Sequence, residues 1–521
     1  MLGLAMSKQA KKRDCPALGA PISPAECGER RVSQLACPAS CRFNPFALEQ
    51  YDELLALEAR AYQDCRARLF QDLEEGEAAM SKLRNLPATA RPDELNALMV
   101  WHFFGRPGRD GRTVAGRWEE AGWAGLKNDE RVLVKAMSGV RLVLLEMHRV
   151  LDAQRMEAVD LLDPAPVPHL IVDRGLAASL NRFDVVLTWV YSLPHYWRVS
   201  GVALPLPEFQ GCEPVEALRA IVGHLGGPLD EAPMRLWLTE HFKRYQESLN
   251  ATVSARRKAM FDAIDAVYGT VDYQLQAPLA DCRGRLEEAA STDEDLPTDA
   301  ERKEGFEQGR VWFDDAAEPA APERGRVVLG RVVLAPTRCR LLAMGGERTS
   351  RLRRQFEEWM GDRVRFVSEQ RDDLVSRLSK GDPEYDPALV PPVLLEHTSR
   401  VAVQTSRVDV RGVRGSREQL SREFQARHLR QYADLPIPLL DGKTPREASV
   451  LPALRPKLLR LMKNLVRDVD ERNLRTGGSD DINWLLRELG LTEILFDPPP
   501  FRPPPQAGEG DPERQVDELE E

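Results

Sequence analysis

Residues 182–206 read RFDVVLTWVYSLPHYWRVSGVALPL. Runs rich in Val, Leu, Tyr and Trp stand on both sides of a break at Leu193-Pro194-His195, and glycine and proline punctuate the second run. Branched and aromatic residues in short segments bounded by turn formers are the signature of strands. Two stretches upstream share this texture: VRLVLLEMHRVLDAQRMEAVDLLD (140–163) and HLIVDRG (169–175). Residues 130–210 are therefore expected to form a small antiparallel β-sheet or barrel. Trp189, Tyr191, Tyr196 and Trp197 alternate across the strand pair. They read as its core and rim, the alternative being a stacking platform for bases or peptides. His195, set among aromatics, reads as a packed residue and not as a base.

The flanking regions have a different period. In NPFALEQYDELLALEARAYQDCRARLFQDLEE (44–75) Leu54, Leu55, Leu57, Ala61, Cys65 and Leu69 fall on one stripe, which predicts an amphipathic helix. Asn44 is a plausible N-cap with Pro45 in the first turn. Helical regions are expected over 47–129 and 211–285, and the acidic 286–324 reads as a linker. GRVVLGRVVLAPTRCRLLAM (325–344), GERTSRLRRQFEEWMGD (346–362) and RVRFVSE (363–369) predict two strands, a helix and a third strand, a compact αβ unit over 325–372. A helical C-terminal module follows over 373–497. Residues 1–14 and the proline-rich, acidic 498–521 read as disordered. The expected fold class is α+β and multidomain: mostly helical, with an inserted small antiparallel β-sheet or barrel and a separate small αβ unit.

Composition narrows the function classes. At 521 residues the chain exceeds one ordinary core, and about 150 residues per domain suggests three or so. The formal net charge of −10 argues against a broad surface for coating nucleic acid, while a local basic patch stays open. No window reaches the roughly 18 apolar residues of a membrane span. The opening MLGLAMSKQAKKRDC has too short an apolar run, with its basic residues behind it, for a signal peptide. A cytoplasmic protein with reduced thiols is the expectation.

Half of the eight cysteines lie in CPALGAPISPAECGERRVSQLACPASCRFNPF (15–46). Cys15, Cys27, Cys37 and Cys41 are separated by eleven, nine and three residues, with Pro16, Gly28 and Pro38 as turn formers. Four thiolates suit a tetrahedral zinc ion. In a segment with little core of its own the metal would supply local folding energy, so residues 15–46 are expected to form a structural zinc knuckle. A redox or disulfide pair and unliganded thiols are the alternatives. Four cysteines close the shell, which excludes a water-activating zinc at this position.

Other chemistry is sparse. His102, His148, His169, His195, His224, His241, His397 and His428 include no His-x3-His or His-Glu-x2-His pair, and the sequence has no P-loop, no G-x-S-x-G and no helix-opening G-x-G-x-x-G. Arg348, Arg351, Arg353 and Arg354, joined by Arg326 and Arg331, make a basic face, either solvated or in contact with RNA. The helix around Arg460, Lys463 and Arg467 reads as ordinary amphipathicity.

Three later segments carry a resemblance. DLLDPAPVPHLIVDRGL (160–176) with 182–201, LGRVVLAPTRCRLLAMGGERTSRLRRQFEEWMGDRV (329–364), and YADLPIPLLDGKTPREASVLPALRPKLLRLMKNL (432–465) with DDINWLLRELGL (480–491) resemble large bacterial proteins of the SEC-C-associated type. PLLDGKTPREA (438–448) also resembles the toxin-binding segment of Xre/ParS-type antitoxins, which implies that Pro438, Gly442, Thr444, Pro445 and Arg446 contact a protein partner. The C-terminal cysteine motif of the first group and the helix-turn-helix of the second are not found here, so DNA binding is not implied. Independently of resemblance, Asp441-Gly442 permits a tight reversal, Thr444 can cap a helix with Pro445 at its first position, and Glu447 completes a capping box. The expected function is a non-enzymatic binding or adaptor protein with structural zinc and a protein partner. The alternatives are an RNA- or ribosome-associated protein using Arg348, Arg351, Arg353 and Arg354, and a hydrolase or nuclease with a carboxylate site. No membrane partner is expected.

Overall fold

The computed structural model describes residues 12–84, 98–209, 212–262, 266–314, 326–374, 385–395, 406–407 and 429–502. They fall into two compact units, one within Met1–Leu249 and Leu429–Pro505, the other within Asn250–His428. Both mix α and β structure. Disorder is expected for 1–14 and 498–521; of these, 1–11 and 503–521 lie outside the described residues, whereas Arg13 and Asp14 belong to a strand and Arg502 donates to Leu180 O at 2.7 Å.

The first unit opens on a hairpin of β1 (Arg13–Cys15) and β2 (Ala20–Ile22). Further on, β3 (Arg141–Val150), β4 (Arg155–Asp160), β5 (Pro168–Val172), β6 (Val185–Ser192) and β7 (Trp197–Pro205) close into a barrel in the order β3-β4-β5-β7-β6. Every pairing is antiparallel except β5 with β7, and a short helix, Arg174–Ser179, joins β5 to β6. This is the connectivity of the five-stranded OB barrel, whose second and third strands and adjoining loops commonly bind oligonucleotides or oligosaccharides.

The texture of β6 follows from coverage on both faces. Val186 and Val190 pack inside with Val143, Leu145, Met156, Ile171 and Val199. Trp189 faces outward, its ring 4.7 Å from Phe242 and its Nε1 donating to Thr239 Oγ1 at 3.1 Å. Tyr191 packs with the N-terminal helices. A strand buried on both sides reads as a continuous apolar run instead of an alternating one.

The helix Tyr51–Gln71 buries Tyr51, Leu54, Leu57, Glu58, Ala61, Cys65 and Leu69 at three- and four-residue steps. Burial pushes the Cys65 thiol up to about 12, so it packs as a small hydrophobe. Near the C-terminus the helix Arg455–Thr476 buries Leu458, Met462, Val466 and Val469 and ends at Gly477, whose φ of 66° is the usual left-handed stop. Its charged side docks on the barrel: Lys463 Nζ lies 2.7 Å from Glu146 Oε1, and Arg467 reaches Glu208 at 3.1 Å.

The second unit is an antiparallel sheet of β8 (Val267–Leu275), β9 (Thr292–Asp295), β10 (Gln308–Phe313), β11 (Arg326–Ala335), β12 (Arg338–Met344) and β13 (Val364–Asp373), in the order β13-β8-β12-β11-β10-β9. The helices Leu279–Ala289 and Gly346–Met360 cover one face around Val271, Tyr273, Cys339 and Leu341. The acidic 286–324, expected as a linker, instead supplies β9, the short helix Asp299–Lys303 and β10. Its carboxylates are matched from the neighbouring strand, since Arg331 Nε lies 2.6 Å from Asp295 and Arg331 Nη1 2.5 Å from Glu301.

Candidate functional site

Three of the four N-terminal thiols share one small buried cluster, and the fourth lies near Cys37. Cys15 ends β1, and its carbonyl accepts from Leu18 N and Gly19 N at 3.2 and 2.9 Å in a turn where Gly19 takes φ 63°. Ser23 caps the helix Pro24–Arg30 by accepting from Glu26 N at 3.1 Å, and that helix carries Cys27. Cys37 and Cys41 follow in tight turns, Cys37 N donating to Leu35 O at 2.8 Å and Cys41 N to Pro38 O at 3.1 Å. Cys15, Cys27 and Cys37 are buried together with Ile22 and Leu35, and Cys41 is half-buried. Burial pushes the Cys37 thiol up, and negative charge on Cys41, Cys15 or Cys27 would push it further, while a hydrogen bond from the Val32 backbone works the other way. All four are free thiols. Among the described residues no three or more His, Cys, Asp or Glu side chains are grouped closely enough to hold a metal ion as they stand. Cys15, Cys27 and Cys37 thus sit in a small apolar cluster with Cys41 at its edge rather than in a finished cage.

This knuckle is anchored to the barrel side of the unit. Arg31 donates to Phe43 O and pairs with Asp129 at 3.0 Å, and Asn128 Nδ2 donates to Arg31 O at 3.0 Å. His195 Nε2, in the β6–β7 loop, donates to Cys37 O at 2.9 Å. In the β3–β4 loop Gln154 Nε2 reaches Leu48 O at 3.4 Å. Between these loops Arg198 of β7 is buried and donates to both oxygens of Glu58, at 2.8 and 3.1 Å, and to Asp173. Trp189, Tyr191 and Tyr196 are buried, and Trp197 is stacked under His169 at 3.5 Å with Arg141 also over its ring. These aromatics are packing groups; no open stacking platform exists among them.

The turn at 438–448 is built as its residues dictate. Pro438 opens a 3-10 turn, Asp441 and Gly442 take φ 57° and 76°, and Ile437 N and Lys443 O close the reversal at 3.0 Å. Thr444 Oγ1 accepts from Glu447 N at 3.1 Å while Glu447 holds Thr444 N at 2.9 Å, completing the capping box. Pro445 is buried, and Arg446 pairs with Asp434 at 2.9 Å and Glu488 at 2.6 Å. Lys457 Nζ, 2.9 Å from Asp441, ties the turn to the start of the long helix. Leu439, Val450 and Leu451 nevertheless remain exposed, Val450 at 77%.

In the second unit Arg353 is committed to Glu357 at 2.9 Å and Glu369 at 2.6 Å, and Arg326 and Arg331 face Asp293 and Asp295. Arg348, Arg351 and Arg354 have no ion-pair partner among the described residues and lie on the half-buried or exposed side of their helix. His102, in the π-helical turn Trp101–Gly105, is fully buried with Nδ1 3.1 Å from Glu75, and burial holds its imidazole below the usual histidine range. The buried ion pairs Arg198–Glu58 and Arg182–Asp470 link positions 140 and 288 residues apart, so no local pattern could have flagged them. No helix among the described residues is long and apolar enough to cross a membrane. Comparison of the chain with protein-family models, with curated proteins and with solved structures returns no match, so its residues and their geometry carry the functional reading.

Proposed function

We propose that the chain is a cytoplasmic, non-enzymatic binding protein in which a structural zinc ion staples the N-terminal knuckle and a partner protein docks on the C-terminal turn. The exposure of Leu439, Val450 and Leu451 on a turn fixed by the Thr444–Glu447 capping box carries this reading. Apolar side chains held rigidly in water lose little entropy on binding, which is the economy of a preorganised surface. For the zinc, Cys15, Cys27, Cys37 and Cys41 would be the ligands. When bound, the ion would supply local folding energy and hold the thiols as thiolates. The burial of Cys15, Cys27 and Cys37 in one small cluster, with Cys41 in the turn that follows Cys37, supports that assignment. The multidomain organisation belongs to the same reading.

The enzymatic alternative finds less support. Of the buried carboxylates, Glu58, Asp160, Asp470 and Glu301 are held by Arg198, Arg235, Arg182 and Arg331 and Glu146 by Lys463, while Glu75 lies against His102 in a fully buried site. A paired carboxylate is poorly placed for proton transfer. RNA contact through the unpaired Arg348, Arg351 and Arg354 is the second reading.

Affinity capture of the full chain from its native lysate, with and without nuclease, tests the proposal. A stoichiometric protein that survives nuclease and is lost from Leu439→Asp/Val450→Asp supports it; capture unchanged in that variant overturns the docking site. Cys37→Ser/Cys41→Ser should lose bound zinc and gain protease sensitivity near residues 15–46, and unchanged zinc content with unchanged cleavage overturns the metal assignment.

A further inference from the structure

We propose that the knuckle carries a contact site for single-stranded nucleic acid, built from Arg13, Arg42, Phe43 and Lys12. The site rests on the knuckle fold proposed above and uses no residue of the turn at 438–448 or of the Arg-rich helix. The chain is acidic overall, yet residues 12–43 reverse the sign: Lys12, Arg13, Arg30, Arg31 and Arg42 stand against Asp14, Glu26 and Glu29. Two of these cations are already committed, Arg30 to Glu26 at 2.8 Å and Arg31 to Asp129 at 3.0 Å. Lys12, Arg13 and Arg42 have no anionic partner among the described residues. Lys12 and Arg42 are exposed, Arg13 is half-buried, and Leu18 on the neighbouring turn is 45% exposed.

Phe43 organises these cations. The Arg13 and Arg42 guanidinium carbons lie 4.6 and 4.8 Å from the centre of its ring. The ring is itself fixed, because Arg31 donates to the Phe43 carbonyl and Asn44 N donates to Cys41 O at 2.9 Å. A guanidinium laid over an aromatic ring keeps its N–H groups at its rim and offers its plane to a further π-system, so it can bind phosphate and stack a base together. An acidic peptide would use the charge but not the planes, and the pairing of aromatic support with unpaired cations favours unstacked nucleotides. The acidic remainder of the chain does not veto this, since exposed charges more than about 8 Å apart are largely screened at physiological ionic strength.

The test is fluorescence anisotropy of a labelled single-stranded RNA of about 12 nucleotides, titrated with the full chain over a salt series. Three phosphate contacts predict a slope of log affinity against log salt near about −2, from about 0.7 per contact on a single strand. Arg13→Gln/Arg42→Gln should weaken binding roughly tenfold or more and flatten the slope by about 1.4. Phe43→Leu should weaken it with the slope unchanged, and Arg348→Gln/Arg351→Gln/Arg354→Gln should leave it intact. Absence of binding, binding insensitive to the first variant, loss only in the Arg348 variant, or equal affinity for a polyglutamate peptide would each overturn the assignment. Zinc content measured on the same samples separates the two readings. Zinc-loaded protein that ignores RNA defeats this site alone, and zinc-free protein defeats the metal assignment.

Discussion

Arg182 and Asp470 are the pair on which docking of the C-terminal module to the barrel should depend most. Both side chains are fully buried, with Arg182 Nε 2.7 Å from Asp470 Oδ2 and Nη2 2.7 Å from Asp470 Oδ1. The other guanidinium nitrogen donates to the neutral Asn483 Oδ1 at 3.2 Å and Phe496 O at 2.8 Å, and the one further carboxylate near the guanidinium among the described residues, the solvent-exposed Asp481, stands 3.9 Å from Nη2, too distant and too screened to replace Asp470. Phe183, next in sequence at φ 67°, packs with Leu458, Met462 and Leu486 of the module. Removing one partner of a buried ion pair strands the other charge and costs about 3–5 kcal/mol, whereas replacing both by apolar groups of similar volume is often neutral. Asp470→Ala should therefore cost about 3–5 kcal/mol, about a fifth or more of a typical folding free energy. Arg182→Met/Asp470→Leu should cost less than Asp470→Ala alone. Urea denaturation gives the magnitudes, and hydrogen exchange shows whether the loss lies in 181–184 and 455–502. A cost below about 1 kcal/mol for Asp470→Ala, or a double-variant cost equal to the sum of the singles, would refute the reasoning.

Two further outcomes follow from local chemistry. Burial raises the Asp184 carboxyl to about 6, though its Oδ2 accepts from Asn181 N at 2.7 Å. Between its ordinary value and 6 the folded chain binds a proton that the unfolded chain releases, so this group favours folding at low pH and that advantage is lost as pH rises through about 6. Asp184→Asn, whose amide oxygen can accept the same bond, should add about 1–3 kcal/mol at pH near 8 and nothing below pH of about 4, read by urea melts across pH; a variant less stable than the parent at the alkaline end would contradict it. A Cβ at Gly269 would lie 2.7 Å from the Thr349 Cβ and nearer still to Oγ1 and Cγ2. Gly269→Ala should destabilise the second unit by about 1–3 kcal/mol, with Thr349→Ala restoring part of the loss; an unchanged melting midpoint would show that the helix Gly346–Met360 can shift to make room.

What could be read from the chain depended on how local the physics was. Strands β3, β6 and β7 are visible in their branched and aromatic runs, and the helix Tyr51–Gln71 in its apolar stripe, because both patterns record burial residue by residue. The run from Met234 to Tyr268 reads as one continuous helix, but the chain breaks at His241, where φ is −109°, into Glu231–Glu240 and Phe242–Asp262. Asp293, Asp295 and Glu301 looked like solvated linker charge since their partners, Arg326 and Arg331, arrive some 30 residues later from another strand. Arg460, Lys463 and Arg467 looked like a solvent-facing side for the same reason, their partners Glu213, Glu146 and Glu208 lying more than 240 positions away. Cys15, Cys27, Cys37 and Cys41 were legible as candidates because cysteine chemistry is specific, and the fold buries the first three together. Arg13 and Arg42 were not, because only the fold brings both over Phe43.

The barrel's own connectivity would suggest a nucleic-acid site on β4, β5 and the adjoining loops, and energetics argue against it. The helix Tyr51–Gln71 packs on the end of β5 at Leu170 and Val172 and on β6 and β7 at Tyr191 and Arg198, and it buries its own Leu54, Leu57 and Leu69 to 2% exposure or less. Burying three leucines contributes roughly 5–9 kcal/mol, and withdrawing Glu58 would also strand the Arg198 cation. A ligand of micromolar affinity brings only about 8 kcal/mol, so it could not displace the helix and still bind. His195 and Gln154 close the two loops onto the knuckle segment in the same way. The end of β5 and the faces of β6 and β7 that meet this helix are thus occupied from within the chain. The groups that the proposals above rest on, Arg13, Arg42 and Lys12 at the knuckle and Leu439, Val450 and Leu451 at the turn, are not among the side chains so occupied.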